Sequence, residues 1–227
     1  QQTQVARVLE KYPEFLKAFP NVEALAKAPL SQVLKVWQGM GYNRRALALK
    51  RMAEKIITEH RGKIPRGRAE LESLPGVGEY TAGAVRAFAF NEPEIFIETN
   101  IRRIFIHHFF KDKEGISDKE ILSLVEATLD TRNPREWYYA LMDFGSHLPK
   151  VTRTNSNTQS KHYAKQSTFK GSRRELRGKV LRALGEESRS LVAIKRICGN
   201  DLRTKEAVNT LIKDKLVTYE KRKYQLA

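Results

Sequence analysis

Leu74-Pro75-Gly76-Val77-Gly78-Glu79-Tyr80-Thr81-Ala82 is the stretch on which the reading of this chain turns. Residues 68–74 read as a short helix and residues 80–90 as a longer one, with Pro75 to Gly78 as a tight turn between them. Two glycines two apart let the backbone bend sharply and come close to a ligand. The helix that follows presents unpaired N–H groups and the positive end of its dipole. Gly76, Val77, Gly78 and Thr81 thus outline an anion cradle that needs no side-chain charge and suits a DNA phosphate. The same spacing also suits an ordinary helix–turn–helix connection with a proline and a glycine cap. The charge balance favours the cradle. Lys and Arg number 42 against 26 Asp and Glu, a formal net charge of +16. Nucleic acid is the first partner to consider and an acidic membrane surface the second.

On both sides of the hairpin the pattern stays helical. Apolar residues recur three and four apart from Val5 to Tyr12, helices start at Pro20 and Pro29, and Arg44 to His60 forms a long amphipathic helix after Gly39 and Gly41. Up to about Gly145 strand-like alternation is nearly absent, so this part is expected to be all-α. Residues 149–179 change character, with nine Lys or Arg, one acid and a Thr/Ser/Asn run over 152–158. They read as a basic, poorly packed connection. Three helices follow, over 175–184, 191–198 and 203–213, then short strands over 217–220 and 223–226 around a Lys221-Arg222 turn. That order is the winged form of helix-turn-helix.

Some classes are excluded by composition. No apolar run approaches the roughly 18 residues of a membrane helix. The single cysteine, Cys198, makes neither an internal disulfide, nor a four-cysteine zinc site, nor an iron–sulfur cluster. His147 and His162 have no further ligands at zinc spacing, so no metal is expected. Without a signal peptide, the chain is expected to be a soluble monomer of the cytoplasm, nucleoid-associated if prokaryotic, with its natural start upstream of Gln1.

The hairpin, with Gln1-Gln2-Thr3-Gln4-Val5, Trp37-Gln38-Gly39-Met40-Gly41-Tyr42, Asn100-Ile101-Arg102-Arg103 and Leu141-Met142-Asp143-Phe144-Gly145, resembles the endonuclease III superfamily of helix-hairpin-helix DNA glycosylases in order and spacing. The Gln-Gln-Thr start and the Gly-Tyr after the tryptophan most resemble its adenine DNA glycosylase branch, which removes adenine mispaired with guanine or 8-oxoguanine. The resemblance implies a mainly α glycosylase core over 1–148, a connection over 149–173 in place of the family's cluster loop, and a winged-helix-like domain over 174–227. It implies a monofunctional DNA N-glycosylase that flips and excises a mispaired base from double-stranded DNA. A thymine or uracil glycosylase acting on G mismatches, or a non-catalytic DNA-binding paralogue, are the alternatives.

The resemblance also assigns roles. Tyr80 stands where endonuclease III has its Schiff-base lysine, which implies a glycosylase without strong strand-cleaving activity. Glu98 stands at the position of the family's catalytic aspartate, where a carboxylate stabilises the sugar cation left when a purine departs. Ahead of a helix, Glu98 also suits a plain N-terminal acid. Asn100 would hydrogen-bond that carboxylate or the sugar. Tyr42 matches the aromatic wedge that fills the hole of a flipped base. Gln1, Gln2 and Thr3 match the loop that touches the opposite base, and Arg44 and Arg45 are expected on phosphate. The family's general acid, a glutamate four residues before the first Gln, falls ahead of Gln1, so residues 1–227 are expected to bind DNA but to excise slowly or not at all. The four cluster cysteines have no counterpart over 148–170, and no 4Fe–4S cofactor is expected.

Overall fold

Apolar residues at helical spacing give the chain twelve α-helices and one two-stranded hairpin, seen in a computed structural model that describes residue 3, residues 5–165 and residues 167–227. The chain divides into two compact units, residues 1–64 with 167–227, and residues 65–166.

The first unit opens with α1 (Val5–Ala18), which sets Phe15 and Ala18, half-buried, against the core, followed by α2 (Val22–Lys27) and α3 (Leu30–Val36). Asn21 starts α2 by accepting the Ala24 amide at 2.8 Å. In α4 (Arg44–His60) the buried positions are Ala46, Ala53 and Ile56, and the two alanines let neighbouring helices approach closely. α4 stops at Arg61 and Gly62, both left-handed, where the Gly62 amide turns back to the Ile56 carbonyl. The C-terminal elements belong to the same unit. They are α10 (Arg173–Glu186), α11 (Leu191–Ile197), α12 (Thr204–Lys213), β1 (Val217–Glu220) and β2 (Lys223–Leu226). The strands pair antiparallel from Val217↔Leu226 to Glu220↔Lys223. A further antiparallel bridge joins Arg189, between α10 and α11, to Tyr224 on β2. Val33 and Leu34 of α3 share one core with Val180 and Leu184 of α10, Leu211 of α12 and Val217 of β1.

The second unit runs through α5 (Arg68–Glu72), α6 (Glu79–Phe90), α7 (Thr99–Phe109), α8 (Asp118–Thr128) and α9 (Pro134–Thr152). Its core gathers Phe96, Ile101, Phe105, Ile106, Ile121, Val125 and Tyr138. A capping box of Ser117 and Glu120 starts α8, and Pro134 occupies the first turn of α9.

Residues 91–98 join α6 to α7 without helix or strand: Asn91 ends α6 in the left-handed region at φ +54°, and Pro93 cannot continue a helix and pushes the residue before it out of the helical region. One stretch differs from the sequence reading. The first part of the expected connection is packed by polar groups. α9 runs on to Thr152, and a 3-10 turn (Ser156–Gln159) follows. Its Asn157 is buried and donates to the Thr99 carbonyl at 3.0 Å, at the start of α7. Gln159 donates to the Phe110, Lys111 and Lys113 carbonyls beyond its end. Apolar patterning does not reveal such a segment, since its partners are backbone carbonyls.

Candidate active site

Glu98 lies at the end of the 91–98 connection, itself extended, and its position is set from both sides. Upstream, Glu94 is gripped by Arg68 of α5 at 2.8 Å and by Arg86 of α6. The Tyr138 hydroxyl of α9 donates to the Glu94 carbonyl at 2.6 Å, and burial pushes that phenol up to about 12, so it remains a neutral donor. Between the two glutamates Phe96 is buried and stacked on Tyr138 with ring centroids 4.1 Å apart. Gly83 of α6 makes room for it, since a Cβ there would meet the Phe96 ring at 3.1 Å. Downstream, Glu98 is the N-cap of α7, and one carboxylate oxygen accepts the Asn100 and Ile101 amides, the latter at 2.8 Å. Such a cap stabilises a helix by about 0.5–2 kcal/mol. The other oxygen stands 3.4 Å from the Asn100 side-chain amide.

The capping function therefore exists, and it uses one oxygen of two. The electrostatics go beyond capping. Burial raises the Glu98 carboxyl above its ordinary value, against the lowering pull of the Ile101 and Asn100 amides and the charges of Arg103 and Arg102. Burial first, and the Glu98 charge second, raise the Tyr80 phenol. Tyr80 sits in the first turn of α6, 38 % exposed, its ring edge-on to Phe96 at 5.8 Å. A desolvated carboxylate and a partly exposed aromatic hydroxyl within its field thus lie at the hairpin's end. This is the arrangement that stabilises a developing cation.

The hairpin itself has the expected form. Gly76 takes φ +80°, the left-handed region that favours glycine. The Val77 amide closes the turn on the Leu74 carbonyl at 3.1 Å, and α6 begins after an extended Gly78 with no side chain capping its first turn. A Cβ on Gly78 would meet nothing within 4 Å, so its outer face is open to a ligand. Thr81 follows in that first turn.

The residues that fix Asn100 carried no assigned role in the sequence reading. Arg103, one turn along α7, donates to the Asn100 side-chain oxygen at 2.8 Å and to the Gly145 carbonyl of α9. Gly145 permits this approach, because a Cβ there would lie 2.5 Å from the Asn100 carbonyl oxygen. Arg102 makes a two-pronged pair with Asp118 of α8, at 2.9 and 2.8 Å. Spacing alone shows Arg102 and Arg103 as neighbouring cations; only the packing of α9 separates their tasks.

The remaining expected residues belong to the first unit. Tyr42 is 40 % exposed at φ +45°, a costly conformation for a bulky side chain. Arg45 lies over both the Trp37 and Tyr42 rings, at 5.3 and 5.6 Å. It donates to the Met40 carbonyl at 3.0 Å and to the Thr3 hydroxyl at 2.8 Å, and burial pulls its guanidinium below the ordinary value. Arg45 is thus engaged in holding the Tyr42 loop. Arg44 points outward, its side chain 78 % exposed and 3.7 Å from Asp214. Gln1 and Gln2 lie outside the described residues.

The donor set does not fit an iron–sulfur cluster. The chain's one thiol, Cys198, is buried in the first unit and raised by that burial. Among the described residues no group of three His, Cys, Asp or Glu is placed to hold a metal. Where such a loop would need its thiolates, Asn157 and Gln159 tie the chain to α7 through amide hydrogen bonds. Among the described residues no helix is long and apolar enough to cross a membrane.

Hairpin, capped carboxylate and Asn-Ile-Arg-Arg helix together define a helix-hairpin-helix protein of the endonuclease III kind. Residues 1–129 match the HhH-GPD superfamily of base excision DNA repair proteins, and the chain belongs to that family. It is 32 % identical over 178 residues to an adenine DNA glycosylase of Buchnera aphidicola subsp. Baizongia pistaciae, covering 74 % of this chain and 50 % of that protein. It is 40 % identical over 104 residues to one of Mycobacterium tuberculosis, covering 46 % of this chain and 34 % of that protein. The chain spans half or less of the length of these relatives. Among solved structures, a thermostable thymine-DNA glycosylase superposes with a TM-score of 0.57 at 26 % identity, over 72 % of this chain and 79 % of that one. A trapped endonuclease III–DNA covalent intermediate shares the fold, with a TM-score of 0.57 at 23 % identity over 64 % of this chain and 68 % of that one.

Proposed function

We propose that the chain is a monofunctional DNA N-glycosylase that flips a mispaired base out of duplex DNA and hydrolyses its N-glycosidic bond, with adenine opposite guanine or 8-oxoguanine as the substrate. The observation that carries this reading is the half-capped, desolvated Glu98 carboxylate beside Tyr80 at the end of the hairpin. In the reaction the C1′–N bond breaks, its electron pair and a proton go to the departing base, and water adds to C1′ with loss of a proton. Glu98 stabilises the sugar cation between these events, through the oxygen that Asn100 faces. Tyr80 supplies a hydroxyl instead of an amine, so no Schiff base forms there. Gly76 to Gly78 and Thr81 hold a phosphate, Tyr42 fills the hole in the stack, and Gln1, Gln2 and Thr3 touch the opposite base. The same reading divides the chain into a core over 1–148, a connection over 149–173 and a winged helix over 174–227, and has it work without an iron–sulfur cofactor.

The likeness to a thymine-DNA glycosylase supports a second substrate, thymine or uracil opposite guanine. A panel of duplexes decides between them, with every mismatch and with uracil, hypoxanthine and 8-oxoguanine pairs, read by alkali cleavage. Cleavage confined to the adenine strand opposite guanine or 8-oxoguanine is the expected result. Cleavage at thymine or uracil selects the second substrate, and breaks that form without alkali contradict a monofunctional enzyme.

A further inference from the structure

The C-terminal elements have a face that the excision chemistry does not use. α10, α11 and α12 are followed by the β1–β2 hairpin, and an isolated antiparallel bridge ties Arg189, between α10 and α11, to Tyr224 of β2. Buried Thr204, Ala207, Val208 and Leu211 turn one side of α12 to the core. The opposite side is exposed, with Lys205, Asn209 and Lys213 four residues apart in one line. Those residue types donate to guanine and adenine edges and to phosphates.

The hairpin tip supplies an independent observation. Lys221 and Arg222 form the two-residue turn between Glu220 and Lys223, at φ +47° and +61°. Both positions of such a turn require positive φ, which Asn-Gly meets without strain and long side chains do not. A strained pair at an exposed tip points to a use for its side chains. Both are exposed cations, and Lys223 follows them.

The charge distribution selects the partner. Residues 174–227 contain fourteen Lys or Arg against seven Asp or Glu. Most of those acids are neutralised from within the unit. Arg177 takes Asp214, Arg189 takes Glu186 and Glu187, Arg203 takes Asp201 and Arg173 takes Glu206. Among the described residues, Lys205, Lys213, Lys221, Arg222 and Lys223 make no ion pair, and Glu220, in register opposite Lys223, is the one carboxylate beside the wing, so the outer surface of α12 and the hairpin tip carry net positive charge. A polyanion fits such a surface, and an exposed helix beside a basic wing matches a DNA groove and its flanking phosphates.

We propose that α12 and the Lys221–Lys223 wing form a second duplex-DNA-binding surface, separate from the hairpin and Glu98. It rests on the proposed function only in that both take duplex DNA as ligand. The test reads binding and not excision, so a failure of either leaves the other standing. The full chain is compared with Lys221→Asn/Arg222→Gly and with Lys205→Ala/Lys213→Ala, on an undamaged duplex over a range of salt. The Asn-Gly turn removes strain together with charge, so its melting temperature should rise while its affinity falls. Losing two phosphate contacts should lower the slope of log affinity against log salt by about 1.8. Affinity at low salt should fall roughly tenfold or more in each variant, the range that salt linkage of a few phosphates produces. If melting rises while affinity and slope stay at parental values, the wing is a strained turn without a DNA role. If both variants bind duplex as the parent does, α12 and the wing do not contact DNA and the proposal is overturned.

Discussion

Glu98 caps α7 and, in the proposed reaction, stabilises the sugar cation, two tasks whose energetic demands oppose each other. Its cap of α7 asks only for an acceptor, which a neutral amide oxygen also supplies. A buried ionised carboxylate, by contrast, costs stability, and this cost is what raises the Glu98 carboxyl above the ordinary 4.5. A carboxyl raised in the folded state holds its proton more firmly there than in the unfolded chain. Its contribution to stability is therefore full below the ordinary value and is lost as pH rises through the raised one. Glu98→Gln keeps the acceptor and removes the charge. It should melt at or above the parental temperature at neutral pH, with the difference shrinking as pH falls to the ordinary carboxylate range. Calorimetry across that range checks it; a variant that melts lower at every pH would make the carboxylate a purely structural acid. Excision should show the same group as an acid limb above the ordinary carboxylate range. The position of Glu98 was legible from the Ile97-Glu98-Thr99-Asn100 run and its likeness to the family. Its raised carboxyl was not, because burial is set by the tertiary packing and leaves no mark in the local run.

At the scale of elements, helices written in apolar periodicity were legible. α4 begins and ends where its pattern does, and both strands fall on their expected residues. Elements held by polar or backbone contacts were not. Residues 91–98 are fixed by Glu94, two arginines and a tyrosine hydroxyl, and the 3-10 turn by two side-chain amides. Such partners leave no period in the sequence. The crossing of α7 and α9 is the sharpest case. Gly145 reads as a helix-weakening residue, yet it is what lets the two helices meet at Asn100. Gly145→Ala should improve intrinsic helix propensity and still destabilise the protein, since a Cβ 2.5 Å from a backbone oxygen forces the helices apart. Overpacking of that kind costs about 1–3 kcal/mol. The same shift should slow excision by moving Asn100, and the Arg103 that holds it, away from the Glu98 carboxylate. Thermal melting and single-turnover excision check both halves; a more stable, fully active variant would show that the contact relaxes freely.

At the scale of the molecule, the first unit gathers both ends of the chain into one core, and the second carries hairpin and carboxylate. A net charge of +16 favours polyanions of any sequence, so DNA binding alone would say little about chemistry. What marks a glycosylase is preference for the charge that appears when the base leaves, since catalysis is stronger binding of the transition state than of the ground state. A duplex with a cationic pyrrolidine in place of the target sugar imitates that state, and one with a neutral tetrahydrofuran imitates only its shape. The ratio of the two affinities reads the Glu98 carboxylate directly and needs no leaving base. The parent chain should bind the cationic duplex at least roughly a hundredfold more tightly, the lower end of what transition-state analogues show. In Glu98→Gln the preference should disappear while affinity for the neutral duplex is retained. Equal affinities in the parent, or a preference that survives Glu98→Gln, would contradict the assignment of Glu98 as the group that stabilises the sugar cation.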